Sequence, residues 1–210
     1  MPDYSVIEEN FSPTICSNDN HIHAVDLGLS VKWACCNVGA ESPEDYGGYY
    51  AWGETGEKNN YSWSTYKWCN GSYDTMTKYC TQSSYGTMDN KTTLELSDDV
   101  AHVKWGGSWR MPTLDEIKEL IYDCSWSWTT QNGVKGYKVT GPNGNSIFLP
   151  AAGFRDDGVV CYRGSLGYYW SSTLNSSGSN NAYCLDFNSS YRGWSSYNRF
   201  NGRTVRPVTD

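Results

Sequence analysis

Three shortages bound what this chain can be. Basic residues are outnumbered, with 16 Lys and Arg against 23 Asp and Glu, for a formal charge of −7. Such a chain has no field to draw phosphate backbones, so a nucleic-acid partner is not expected. No apolar run approaches the roughly 20 residues of a membrane-spanning helix, so direct membrane insertion is not expected either. Histidine is scarce: only His21, His23 and His102 occur. The His21/His23 pair has no third ligand type clustered near it and reads as a solvated tail rather than a metal site. No CxxC pair exists among the eight cysteines, which argues against a zinc ribbon. Most of them have aromatic or apolar neighbours, as in Trp33-Ala34-Cys35-Cys36, which suits packed thiols better than disulfides. The opening Met1-Pro2-Asp3-Tyr4-Ser5 lacks the basic and apolar regions of a signal peptide. Location inside a cell or virion, or export after loss of a leader, both remain open.

What is plentiful is of one kind. Ten Trp and 17 Tyr stand beside only 5 Phe, amid 21 Gly and many Ser and Asn. Trp and Tyr join a large apolar body to a polar tip and suit half-wet packing and contact surfaces. Gly, Ser and Asn favour turns over long helices.

Residues 1–23 read as an N-terminal arm or linker, polar and carrying Pro2 and Pro13. A globular domain is expected over 24–210. It opens on a half-buried strand in which Val31, Trp33 and Cys35 face inward and Lys32 and Ala34 outward. Tyr49 to Glu54 is a second strand candidate, and Thr55 to Gln82 a long surface excursion pinned by Trp63 and Trp68. Thr113-Leu114-Asp115-Glu116 is a capping box, followed by an apolar stripe of Leu114, Ile117, Leu120 and Ile121 at helical spacing. A thinner signal places another short helix after Ser97-Asp98-Asp99. Asn132-Gly133 and Pro142-Asn143-Gly144 are turn signals between three short strands, around Trp126–Thr130, Tyr137–Thr140 and Ser146–Leu149. The class is α+β: short antiparallel strands, one or two short helices and long ordered loops.

Residues 171–202 are about two-thirds Ser, Asn, Gly and Tyr, a composition like that of an antibody paratope. Within them Ala182 to Asn188 alternates, which predicts Tyr183, Leu185 and Phe187 inward and Cys184, Asp186 and Asn188 outward. Recurrent Tyr and Trp argue for an ordered face over a solvated loop. A closing strand is expected over Arg203 to Val208, with Val205 inward.

Three stretches together carry a resemblance: Val25 to Ala34, Trp105-Gly106-Gly107-Ser108-Trp109-Arg110-Met111-Pro112-Thr113, and Gly167-Tyr168-Tyr169-Trp170-Ser171-Ser172 running on to Val205-Arg206-Pro207-Val208. Over about 24–208 the chain resembles Bacteroidetes-type proteins of the C-type-lectin-like superfamily related to formylglycine-generating enzymes. Within that group it is most similar to the variable proteins of diversity-generating retroelements, which include phage receptor-binding proteins. The resemblance implies a variable region at about 170–208, in which an error-prone reverse transcriptase substitutes template adenines and scatters Asn codons. Products of such codons occupy Asn175, Ser177, Ser179, Asn180, Cys184, Asp186, Asn188, Tyr191, Arg192, Tyr197, Asn198 and Phe200. Trp194 completes the expected ligand-binding set, although an Asn codon cannot yield it.

Enzymatic relatives meet obstacles. Formylglycine-generating enzymes hold copper on closely spaced cysteines, whereas Cys161 and Cys184 stand apart here. The related iron-dependent sulfoxide synthases need a histidine cluster that three histidines do not supply. The Glu-Pro-Asn, Gln-Pro-Asp and Trp-Asn-Asp motifs of calcium-dependent lectins do not occur. Asp98-Asp99 and Asp156-Asp157 read as solvated surface acids rather than a cation site. Arg110 and Arg206 read as internal anchors.

The expectation is therefore a non-enzymatic recognition protein without cofactor or metal, with specificity written in 174–200. Its partner would be a protein or glycan on a cell surface, and its carrier a cell surface or virion. A glycan-binding lectin, and behind it an oxidase of the formylglycine-generating type, are the rival readings.

Overall fold

Short apolar runs separated by turn residues fold here as short strands. The computed structural model describes residues 23–210. Near the start, β1 (Ala24–Val25) pairs antiparallel with β2 (Lys32–Ala34), and the last strand, β11 (Val208–Thr209), pairs with β2 from the other side. Trp33 thus stands opposite both Val25 and Val208, so the two ends of the described chain close on each other. Of the arm expected at 1–23, residues 1–22, with His21 and Cys16, lie outside the described residues; His23 is half-buried, and its carbonyl accepts from Cys35 N at 2.8 Å, so it is no solvated tail residue.

Between β2 and the first helix the chain runs through turns, isolated bridges and three short 3-10 helices. The strand expected at Tyr49 to Glu54 is reduced to a single bridge, Tyr50 to Arg203. The excursion is pinned as expected: Trp68 donates its indole N–H to Gly53 O at 2.8 Å, and Trp63 packs edge-on against Phe200.

Helix α1 (Val100–Trp105) follows Asp99, whose carboxylate caps the N–H groups of Ala101 and His102. Asp99 also accepts from Met111 N, and Asp98 accepts from Lys78 and Tyr79. Both acids are buried, so the solvated-surface expectation for this pair is corrected. Helix α2 (Leu114–Asp123) starts at the expected box: Glu116 N donates to Thr113 Oγ1, and Thr113 N to Glu116 Oε2 at 2.8 Å. Leu114, Ile117, Leu120 and Ile121 are its buried stripe. Strands β3 (Ser125–Gln131), β4 (Val134–Thr140) and β5 (Ser146–Pro150) form a meander. Asn132 and Gly133 at its first turn take φ of 47° and 84°, the left-handed conformations that the favoured Asn-Gly hairpin turn uses.

After the small hairpin β6 (Phe154–Asp156) and β7 (Val159–Cys161) comes a three-stranded sheet of β8 (Gly167–Leu174), β9 (Asn181–Asn188) and β10 (Tyr191–Asn198), in the order β10-β9-β8. It divides two apolar cores. Trp170, Leu174, Ala182 and Cys184 join one core with Trp52, Trp105 and Val205. Tyr169, Leu185 and Phe187 join the other with Ile117, Leu120 and Val139. At the β8–β9 contact, a Cβ on Gly167 would lie 2.0 Å from the Phe187 ring, so only glycine fits there. Burying a side chain such as Leu185 or Phe187 contributes roughly 1.5–3 kcal/mol.

A sheet covered on both faces loses the inward–outward distinction that alternation implies. Cys184 is fully buried and Asp186 only 9% exposed, so both are inner residues rather than outward ones. Ala34 is likewise buried. Conversely Tyr183, expected in the core, is half-buried and packs edge-on against Trp194.

Three fully buried arginines hold the closing segment. Arg206 donates to Asn37 Oδ1 and to the carbonyls of Ala34, Cys35 and Phe148, tying β2 to β5. Arg199 donates to Tyr66 Oη and to the carbonyls of Lys78, Tyr79 and Ser179, so the long excursion hangs on it. Arg203 sits among the rings of Phe154, Tyr168, Trp170 and Tyr197, 4.1 Å from the last.

Candidate binding surface

Two-residue alternation assigns the side chains of β9 and β10 to faces. Opposite Tyr183, Leu185 and Phe187 stand Ser196, Trp194 and Arg192, all on the side of α2. The other side carries Cys184, Asp186, Gly193, Ser195 and Tyr197. The thirteen expected contact residues therefore do not form one patch.

On the α2 side the exposed members gather at the hairpin tip and along β10. Trp194 is 37% exposed, with its ring against Tyr183 and the Lys118 ammonium 5.2 Å from its centre. The Arg192 guanidinium lies 5.8 Å from the Trp126 ring. At the tip Tyr191, which by the same alternation points to the other side and lays its hydroxyl across Gly193, is 50% exposed, and Tyr122 of α2 is 71% exposed. With Ile121, Ser190 and Arg192 these two tyrosines line a shallow hollow of about 380 Å³. Asn188 caps the turn beneath it, its Oδ1 accepting from Ser190 N at 2.8 Å. Ser177 and Asn198 are exposed further along the sheet.

The remaining expected positions do structural work. Ser179 is fully buried, accepts from Thr81 N through Oγ, and offers its carbonyl to Arg199. Asn175 bonds Ser177 N and Ser196 Oγ, shaping the loop before β9. Asn180 gives its carbonyl to Arg199 N, and half-buried Phe200 packs 4.8 Å from Trp63. Tyr197 donates to Asp186 Oδ2 at 2.7 Å. Burial, then that bond to a carboxylate, push the Tyr197 phenol well above its ordinary pKa. Burial pushes the Cys184 thiol up to about 12, so it is a protonated packing group at neutral pH and no nucleophile.

Sequence reasoning missed Tyr122, Lys118 and Trp126. Tyr122 carried a usable signal, because it lies off the apolar stripe of α2 and is a large aromatic with no core to enter. Lys118 and Trp126 come beside the hairpin only through the packing of α2 and β3.

Residues 113–208 match the family model described as Domain of unknown function (DUF8237). That span runs from the cap of α2 to the start of β11 and holds the whole hairpin sheet. No curated protein and no solved structure matches the chain.

Proposed function

We propose that this chain is a non-enzymatic recognition protein: a C-type-lectin-like scaffold displaying a varied surface that grips a protein or glycan on a cell surface, carried on a cell surface or virion. The observation that carries the reading is the exposure of Tyr191, Arg192 and Trp194 beside Tyr122, on strands whose inner residues are locked into two cores. Tyr, Trp and Arg are the residues that dominate binding energy at interfaces. Held on a rigid sheet, they lose little entropy when a partner arrives. Exposed Ser177, Asn198 and Ser190 add small polar groups that adapt to different partners.

The test is binding of the intact chain to a panel of cell-surface glycans and proteins, repeated with the triple variant Tyr191→Ala, Arg192→Ala, Trp194→Ala. The expected result is loss of the observed binding with an unchanged melting temperature. A triple variant that folds and binds as the parent does would overturn the reading.

A further inference from the structure

Strand β10 is the outer strand of its sheet, and its ladder fixes which backbone groups face out. Tyr191 pairs with Asn188 across the two-residue turn Ser189–Ser190, so that pair exchanges both hydrogen bonds. Bonded and non-bonded pairs then alternate. Arg192, Trp194 and Ser196, opposite Phe187, Leu185 and Tyr183, therefore turn their N–H and C=O groups away from β9. None of these six groups has a hydrogen-bond partner among the described residues. The next outward carbonyl, that of Asn198, accepts from Asn201 N and marks where the open row ends.

Proteins block such edges with proline, bulges or repeated charges. Tyr191–Asn198 contains no proline and no acidic residue, and Arg192 is its one charge. Arg192 is exposed and has no carboxylate partner among the described residues. Trp194 stands beside the open row, partly exposed. A row of alternating donors and acceptors at strand spacing is complemented by another peptide backbone, not by a sugar ring. Specificity would come from the side chains that alternate along it.

We propose that β10 accepts an extended segment of a partner protein as a fourth strand, with an acidic side chain of that segment set against Arg192. This deepens the recognition reading and rests on it, naming a protein strand as the partner's chemistry. A second copy of this chain fits less well, since it would bring its own Arg192 and the same net charge of −7.

The probe is a fluorescent eight-residue peptide of alternating Val and Thr carrying one Glu, titrated against the full chain by anisotropy. Ser196→Pro removes one outward N–H and obstructs the edge while leaving the β9 ladder intact. Ser196→Ala removes only the hydroxyl that accepts from Asn175 Nδ2. Saturable binding is expected, weakened about tenfold or more by Ser196→Pro and less than about twofold by Ser196→Ala. Should Ser196→Pro fail to fold, Arg192→Glu gives the same decision: it should reverse the preference from the Glu peptide to a Lys peptide. Absence of peptide binding, equal effects of the two Ser196 variants, or an Arg192→Glu variant that keeps its preference for Glu would each overturn the proposal. So would a concentration-dependent dimer in sedimentation that Ser196→Pro abolishes, because the occupant would then be a second copy. If the peptide fails while the triple variant still loses binding on the cell-surface panel, the strand inference falls and the recognition reading stands.

Discussion

The Tyr197 hydroxyl donates to Asp186 Oδ2 at 2.7 Å, and the Tyr197 ring lies 4.1 Å from the buried Arg203 guanidinium. Two positions whose residue types resemble display positions are thereby internal partners. Replacing Asp186 with Ala should destabilise the fold by about 1–3 kcal/mol, since it strands the Tyr197 hydroxyl that donates to it. Tyr197→Phe, which keeps the ring over Arg203, should cost about 1 kcal/mol. Urea unfolding of both variants measures the difference.

The two faces of β9 should prove equally intolerant of truncation. Leu185→Ala and Phe187→Ala each open a cavity in the core beneath α2 and should cost about 2–5 kcal/mol. Cys184→Asp, which buries a carboxylate in the opposite core, should be at least as damaging. Thermal melts of the three variants check this. A mild Cys184→Asp effect would mean that the second face is open.

Arg199 should control the excursion at 55–82 more than the sheet it leaves. Its guanidinium satisfies the carbonyls of Lys78, Tyr79 and Ser179 and the Tyr66 hydroxyl. Arg199→Ala should cost at least about 3 kcal/mol, because several buried acceptors lose their donor together. Limited proteolysis should then cut first within 55–82.

Acid should weaken the fold partly through Glu116. Burial alone would raise this carboxyl, but the Arg110 guanidinium and the Thr113 N–H outweigh it and hold it below its ordinary value. A depressed folded pKa contributes stability that is complete above the unfolded value of about 4.3 and is lost as pH falls through the folded one. Buried Asp99, raised by desolvation against three backbone donors, runs the other way and softens the loss. Urea midpoints between pH 6 and pH 3 should fall less steeply for Glu116→Gln than for the parent.

Elements with local chemistry were readable in the sequence. The Thr113–Glu116 box and the Asn132-Gly133 turn each specify their geometry within four residues, and both appear where the pattern puts them. The α+β class followed from the same short-range signals. Cys184, Asp186 and Ala34 were misread because alternation reports what one face buries and is silent on what covers the other. That cover comes from Trp52, Trp105 and Val205, far away in sequence. Ser179 and Phe200 were misread for a related reason: their partners Thr81, Arg199 and Trp63 are mostly supplied by the distant excursion, which has almost no regular structure to foretell them. The exposure of Tyr191, Arg192 and Trp194 was legible because an aromatic-rich strand next to a short polar turn has few neighbours to hide it.

The most direct test of the account is a library in which Ser177, Tyr191, Arg192, Trp194 and Asn198 are randomised together, compared with one randomising Ser179, Cys184, Leu185, Asp186 and Phe187. Both are displayed on yeast and sorted for survival of protease treatment, a measure of folding. A display scaffold predicts that most members of the first library survive and that few of the second do. Equal losses in the two libraries would contradict it, because the exposed residues would then be holding the fold rather than presenting a surface.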